Sequence, residues 1–149
     1  MLKFGESKFN KMDEDITLEQ CQSGSVVYPY QIRSGGLGPC IAIGIYDKKK
    51  RRGYMIHESN ASHNQEVPTF IENVLKKSKK DNLTVYVAGG EISNLDEPED
   101  KEYTQGCRDY VKEELDRIFD INQIIYNWNN TPNIIELILS TEDGKFHIE

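Results

Sequence analysis

Two short apolar runs, Ile41-Ala42-Ile43-Gly44-Ile45-Tyr46 and Gly53-Tyr54-Met55-Ile56, are separated by six consecutive charged residues, Asp47-Lys48-Lys49-Lys50-Arg51-Arg52. Runs of this length, rich in β-branched residues and joined by a polar tip, read as a β-hairpin. The reading places Cys40 just before the first strand and His57 just after the last apolar residue of the second. With a tight turn centred between Lys48 and Lys49, position 41 faces 56 and position 40 faces 57. Directly opposed side chains of an antiparallel pair lie about 5 Å apart at Cβ and share a face. The expected arrangement is a thiol beside an imidazole, the minimum for a cysteine nucleophile, because the thiolate attacks and a neighbouring histidine favours it. No Asn-Gly or Asp-Gly pins the turn, so the register carries the argument: a slip of one residue puts the two on opposite faces, and a slip of two makes them diagonal. The competing reading is a buried cysteine at a strand start and an unrelated surface histidine.

The cysteine follows Ser34-Gly35-Gly36-Leu37-Gly38-Pro39. Three glycines in one short loop free the backbone for positive φ and close approach to a ligand, and N–H groups of Gly36, Leu37 and Gly38 could face a developing oxyanion. These motifs resemble those of the CheD chemoreceptor glutamine deamidases, in which a Thr-x-Gly-Leu-Gly-Ser-Cys stretch precedes an apolar strand and a Gly-Gly-x-x-His-like stretch supplies the histidine. Val87-Ala88-Gly89-Gly90 resembles the family's Ala-Gly-Gly strand end, and Gly106-Cys107-Arg108-Asp109 its Gly-x-Arg-Asn helix start. The four landmarks span residues 32 to 119 in order. Departures from the pattern are Ser34 for the family's threonine, Pro39 for the serine before the cysteine, Glu58-Ser59-Asn60 for a Leu-Pro pair, and Tyr126 to Pro132 where the family has Gly-Gly-Asn-Arg. Pro39 removes one backbone N–H from the loop. Ser34 keeps a hydroxyl, and the last two changes fall on surfaces expected to meet substrate.

The resemblance implies hydrolysis of a protein glutamine side chain, with Cys40 attacking the carboxamide carbon and His57 moving the proton. Ser34 would orient the imidazole through its hydroxyl or its carbonyl. Partners on this reading are a chemoreceptor-like or host protein bearing a reactive glutamine, and a regulatory protein. Similar Cys-His sites occur in the cytotoxic necrotizing factor toxins, so a host-directed effector is a variant of it. A protease, a transglutaminase-like reaction or a small-amide hydrolase could use the same pair, and a non-catalytic binding module of the same fold is the rival from another class. The enzyme reading expects Cys40 to be alkylated fast at mildly acidic pH. No cofactor and no metal are expected, since Cys40 and His57 are too few ligands for zinc.

The 149 residues are expected to form one domain, 1–149. A net charge of −7 argues against nucleic acid. The lysine-arginine cluster at 48–52 reads first as a solvated hairpin tip and second as a docking patch for an acidic partner. Three cysteines at irregular spacing make no disulfide framework, and the N-terminus has no apolar leader or span, so a cytoplasmic protein is expected, with export as an effector also compatible.

Val67, Phe70, Ile71, Val74 and Leu75 predict a helix with Pro68 in its first turn, and Leu83 to Ala88 a buried strand ending at Gly89-Gly90. Residues 91 to 102 are expected to be an acidic mobile loop. Cys107, Tyr110, Val111, Leu115, Ile118 and Phe119 stripe a second helix, making Cys107 a core residue. Apolar stretches at 121–128, 134–139 and 145–148 follow, the last two joined as a hairpin across Glu142-Asp143-Gly144. Cys21 has no assigned role, and His63 and His147 read as solvated. This order suggests an α+β domain of mixed β-sheets with helices outside; the resemblance implies a sandwich-like core with flanking α-helices.

Overall fold

The computed structural model describes residues 11–59, 61, 65–93 and 95–149; His63 and Asn60 lie outside them. The fold is α+β, built on two mixed sheets. In chain order the strands are β1 (Lys11–Met12), β2 (Ile16–Thr17), β3 (Gln22–Val27), β4 (Gln31–Arg33), β5 (Ile41–Asp47), β6 (Arg52–Glu58), β7 (Leu83–Gly89), β8 (Ile124–Trp128), β9 (Leu137–Ser140) and β10 (Lys145–Ile148). Helix α1 (Glu66–Lys77) lies between β6 and β7, and α2 (Pro98–Ile118) between β7 and β8. The larger sheet runs β1-β3-β6-β5-β7-β8 and the smaller β10-β9-β4-β2.

Strand β5 explains why its sequence is apolar without alternation: every residue from Ile41 to Asp47 is buried, because both faces of the sheet are covered. Ile41, Ile43 and Ile45 join Phe70, Val74, Val111 and Leu115 beneath the helices. Ala42 and Tyr46 join Ile32, Leu137 and Leu139 between the sheets. Helix α1 buries Val67, Phe70, Ile71 and Val74, with Glu66 in its first turn and Lys76 and Lys77 in its last, each charge suiting the nearer end of the dipole. Leu75 is only half-buried.

Three expectations need correction. Residues 98–102 are the first turns of α2, started by Pro98 with Glu99 and Asp100 behind it. Proline at the first helical position and acids in the first turn are helix-start signals that the acidic composition masked. Consequently Gly106-Cys107-Arg108-Asp109 lies within α2 and does not open it. The hairpin does form, but Asp47 pairs with Arg52 across a four-residue turn. The Asp47 carboxylate accepts the N–H groups of Lys49 at 2.9 Å and Lys50 at 3.0 Å, and Arg51 closes the loop at φ 53°. An aspartate that captures the N–H groups two and three residues on builds a longer turn than the two-residue one the spacing suggested.

Candidate functional site

The longer turn shifts the register by two residues: Ala42 faces His57 and Ile41 faces Glu58. Cys40 is therefore diagonal to His57, on the same face as the Ala42–His57 pair, where neighbours are about 7–8 Å apart at Cα. Both side chains point toward the smaller sheet, Cys40 half-buried and His57 buried.

The imidazole is held by backbone. Its Nδ1 lies 2.6 Å from the Ser34 carbonyl oxygen. A carbonyl can only accept, so Nδ1 carries the proton and Nε2 presents a lone pair. Nε2 is buried without a hydrogen-bond partner among the described residues, so no bond to Cys40 Sγ is in place. The Ser34 hydroxyl does other work: it donates to the Gly35 carbonyl at 2.6 Å and accepts the Leu137 N–H at 3.0 Å, tying the loop to β9. Of the two ways Ser34 was expected to orient the ring, the structure has the carbonyl.

The glycine loop fixes this carbonyl. Gly35 has φ 73°, and a Cβ there would come within 2.6 Å of the Leu18 carbonyl oxygen, so only glycine fits. Gly36 and Gly38 do not take positive φ; Gly36 is exposed and both lie under Ile134. Leu37 is a core residue whose N–H donates to the Ile135 carbonyl at 2.7 Å, which removes it as an oxyanion donor. The opposite wall is β7, whose Gly89 at φ 96° would put a Cβ 2.2 Å from the Cys40 carbonyl oxygen. The next residues lock on: the Gly90 N–H donates to the Cys40 carbonyl at 2.8 Å, and the Glu91 N–H to the Gly38 carbonyl at 3.0 Å. Arg108 donates from Nε to the Gly90 carbonyl at 2.7 Å and from its guanidinium to the Asn129 carbonyl at 3.2 Å, buttressing that turn from α2.

Electrostatics set the resting protonation. Burial pushes the Cys40 thiol up, with Cys21 and then Glu58 adding to it. Burial pushes His57 below its ordinary value, opposed by the Ser34 carbonyl, Glu58 and the Leu18 carbonyl. The pair rests as thiol and neutral imidazole, which runs against the expectation of fast alkylation at mildly acidic pH.

Cys21, which the sequence left without a role, belongs to this neighbourhood. Its N–H donates to the His57 carbonyl at 2.8 Å and its Sγ lies 3.5 Å from Ser59 Oγ. Pairing of β3 with β6 brings it there, and a polar strand such as Gln22-Ser23-Gly24-Ser25 carries no periodic signal for that pairing. Cys107 is buried in the core as expected, and His147 is an exposed residue 3.5 Å from Asp143. A cavity of about 190 Å³ beside the loop is bounded by Pro39, Ser59, Tyr103 and Thr104; neither Cys40 nor His57 lines it. Among the described residues no three His, Cys, Asp or Glu side chains are grouped to hold a metal, and no helix is long and apolar enough to cross a membrane.

No protein-family model matches the chain, and no curated protein matches it. Among solved structures it is similar to the Bacillus licheniformis hypothetical protein YfiH, at 11% identity and a TM-score of 0.39, over 72% of this chain and 50% of that one. The chain thus spans half the length of that protein, and a likeness this distant carries no argument about activity.

Proposed function

We propose that the chain is a cysteine-dependent amidohydrolase acting on a protein glutamine, of the CheD-like kind its motifs resemble. The observation that carries the reading is the imidazole of His57, fixed by the Ser34 carbonyl in the tautomer that leaves Nε2 a free base on the face that holds Cys40. On this reading a bound carboxamide draws Sγ and Nε2 together; catalytic hydrogen bonds are commonly long before substrate arrives. As the sulfur attacks the carbonyl carbon, its proton passes to Nε2. The tetrahedral intermediate collapses, the C–N bond breaks, and the imidazolium gives the proton to the leaving ammonia. Water, deprotonated by His57, then cleaves the thioester to glutamate and restores the thiol. With Leu37 engaged and Pro39 lacking an N–H, Gly36, Gly38 and Cys40 are the loop donors left for the oxyanion.

A second reading, a binding module without turnover, is favoured by one observation: the Cys40 thiol is pushed up and has no bond to the imidazole. The two separate in one experiment. Candidate proteins are incubated with wild type or Cys40→Ser and scanned by mass spectrometry for the gain of about one dalton that converts glutamine to glutamate. Deamidation by wild type alone supports the enzyme; no modified glutamine across a broad proteome leaves the binding module.

A further inference from the structure

The other end of the hairpin presents a feature that the Cys-His chemistry does not use. Residues 48–52 contribute five cations and residues 76–80 four, together half of the chain's 18 lysines and arginines, in a protein whose 25 acids give it a net charge of −7. The fold brings these two segments together, because α1 packs on β6 and ends beside the turn between β5 and β6. They border an open groove of about 730 Å³ lined by Lys49, Lys50, Lys76, Lys77, Lys79 and Lys80. Leu75 supplies an apolar patch, and Asn82 a neutral amide.

Lysines at a helix C-terminus ordinarily answer the dipole and the last carbonyls. Of these six, Lys76 and Lys77 stand in the last turn of α1, Lys50 Nζ donates to the Lys77 carbonyl, and Lys76 also sits 3.8 Å from Glu72. Among the described residues, Lys49, Lys77, Lys79 and Lys80 have no carboxylate partner. Of the other acids of the region, Asp47 is buried and its Oδ1 is held by the turn. Several ammonium groups gathered around one concavity repel each other, and a bound anion relieves that repulsion.

We propose that this groove binds a multivalent phosphate anion, a small molecule carrying a chain or cluster of phosphoryl groups. Its volume lies in the range of small-molecule sites, about 300–1,000 Å³. Its cations are all lysines. A lysine is a compact point charge suited to clustered phosphoryl oxygens, whereas planar carboxylates are best met by the arginine fork, and no arginine lines the wall. A polynucleotide would meet the acidic remainder of the molecule beyond this one concave patch.

The test is isothermal titration of the full chain with tripolyphosphate at low salt, with Lys79→Glu/Lys80→Glu as the site variant and Lys101→Glu, exposed on α2, as the control. One equivalent should bind, weakening as salt rises; the site variant should bind about tenfold or more weakly, and the control as wild type. Lys79 and Lys80 are exposed, so the variant should keep the wild-type unfolding curve; if it does not, Lys79→Gln/Lys80→Gln gives the same readout. Absence of binding, equal loss in the control, or tighter binding of a hexaglutamate peptide than of tripolyphosphate would overturn the proposal. The site lies at the opposite end of the hairpin from Cys40, so its failure leaves the amidohydrolase reading untouched, and the converse holds.

Discussion

The two ends of the β5–β6 hairpin, about 20 Å apart along seven residues of strand, are built by different means. At the cysteine end, position comes from remote segments: the Ser34 carbonyl on the imidazole, the Gly90 and Glu91 N–H groups on the Gly38–Cys40 loop, and the Cys21 N–H on the His57 carbonyl. At the lysine end, the Asp47 carboxylate shapes the turn locally and remote backbone then ties it down, the Lys48 N–H donating to the Asn82 carbonyl at 3.0 Å and the Tyr28 N–H to the Arg51 carbonyl at 3.0 Å, while the lysine side chains stand in water. One end is placed by long-range contacts among buried groups; the other is shaped first by one local side chain and carries a dense set of exposed cations. Disturbing either should leave the other's chemistry largely alone.

The sharpest way to break that contrast is Gly89→Ala. A Cβ at φ 96°, 2.2 Å from the Cys40 carbonyl, must move the backbone at Cys40. A loss of about 3 kcal/mol or more is expected in urea unfolding, with altered Cys40 alkylation and, in whatever fraction folds, unchanged tripolyphosphate binding. Altered binding at the lysine end would mean that the two ends are coupled.

Asp47→Ala attacks the other end. It removes the acceptor for two turn N–H groups from a buried position, and should cost about 2 kcal/mol while Asp47→Asn, which keeps an oxygen there, costs less. Anion binding should weaken, and alkylation of Cys40 should not change.

The pH dependence of stability sharpens the picture of the cysteine end. His57 titrates below its ordinary 6.5, so the folded state binds the proton less readily than the unfolded one. Its contribution is complete above 6.5 and is lost as pH falls through the lowered value. Urea unfolding from pH 8 downward should therefore fall more steeply for wild type than for His57→Asn. Equal slopes would mean that the imidazole is not buried as described. Under the proposed chemistry, the acid limb of kcat/KM also lies below 6.5.

The smallest effect is expected from Cys21→Ser. Cys21 is the second cause, after burial, of the raised Cys40 thiol. Its removal should move the pH midpoint of iodoacetamide alkylation of Cys40 slightly downward, with stability changed by less than about 0.5 kcal/mol.

The contrast also explains what could be read from the residues alone. The hairpin, α1, β7, the stripe of α2 and the C-terminal hairpin all carry strong periodicity or turn residues, and the α+β class follows from their order. The register did not follow, because it depends on one aspartate side chain choosing the turn. Strands β1 to β4 were not legible: β3 is polar in sequence yet buried at Ser23 and Ser25, since it lies inside the larger sheet between β1 and β6. Cys40, His57 and Ser34 were found through motif and spacing. Cys21 and the buttressing role of Arg108 were not, because each acts on the site through pairing that spans dozens of residues. The lysine clusters at 48–52 and 76–80 were visible separately, but their meeting is a property of packing.

The exposed turn at Lys48–Arg51 separates Cys40 from His57 along the chain: the sulfur precedes it and the imidazole follows it. Severing the polypeptide between Lys49 and Lys50 would therefore place Cys40 on one fragment and His57 on the other. Mixing the fragments would then report their reassembly, since neither half alone carries both groups.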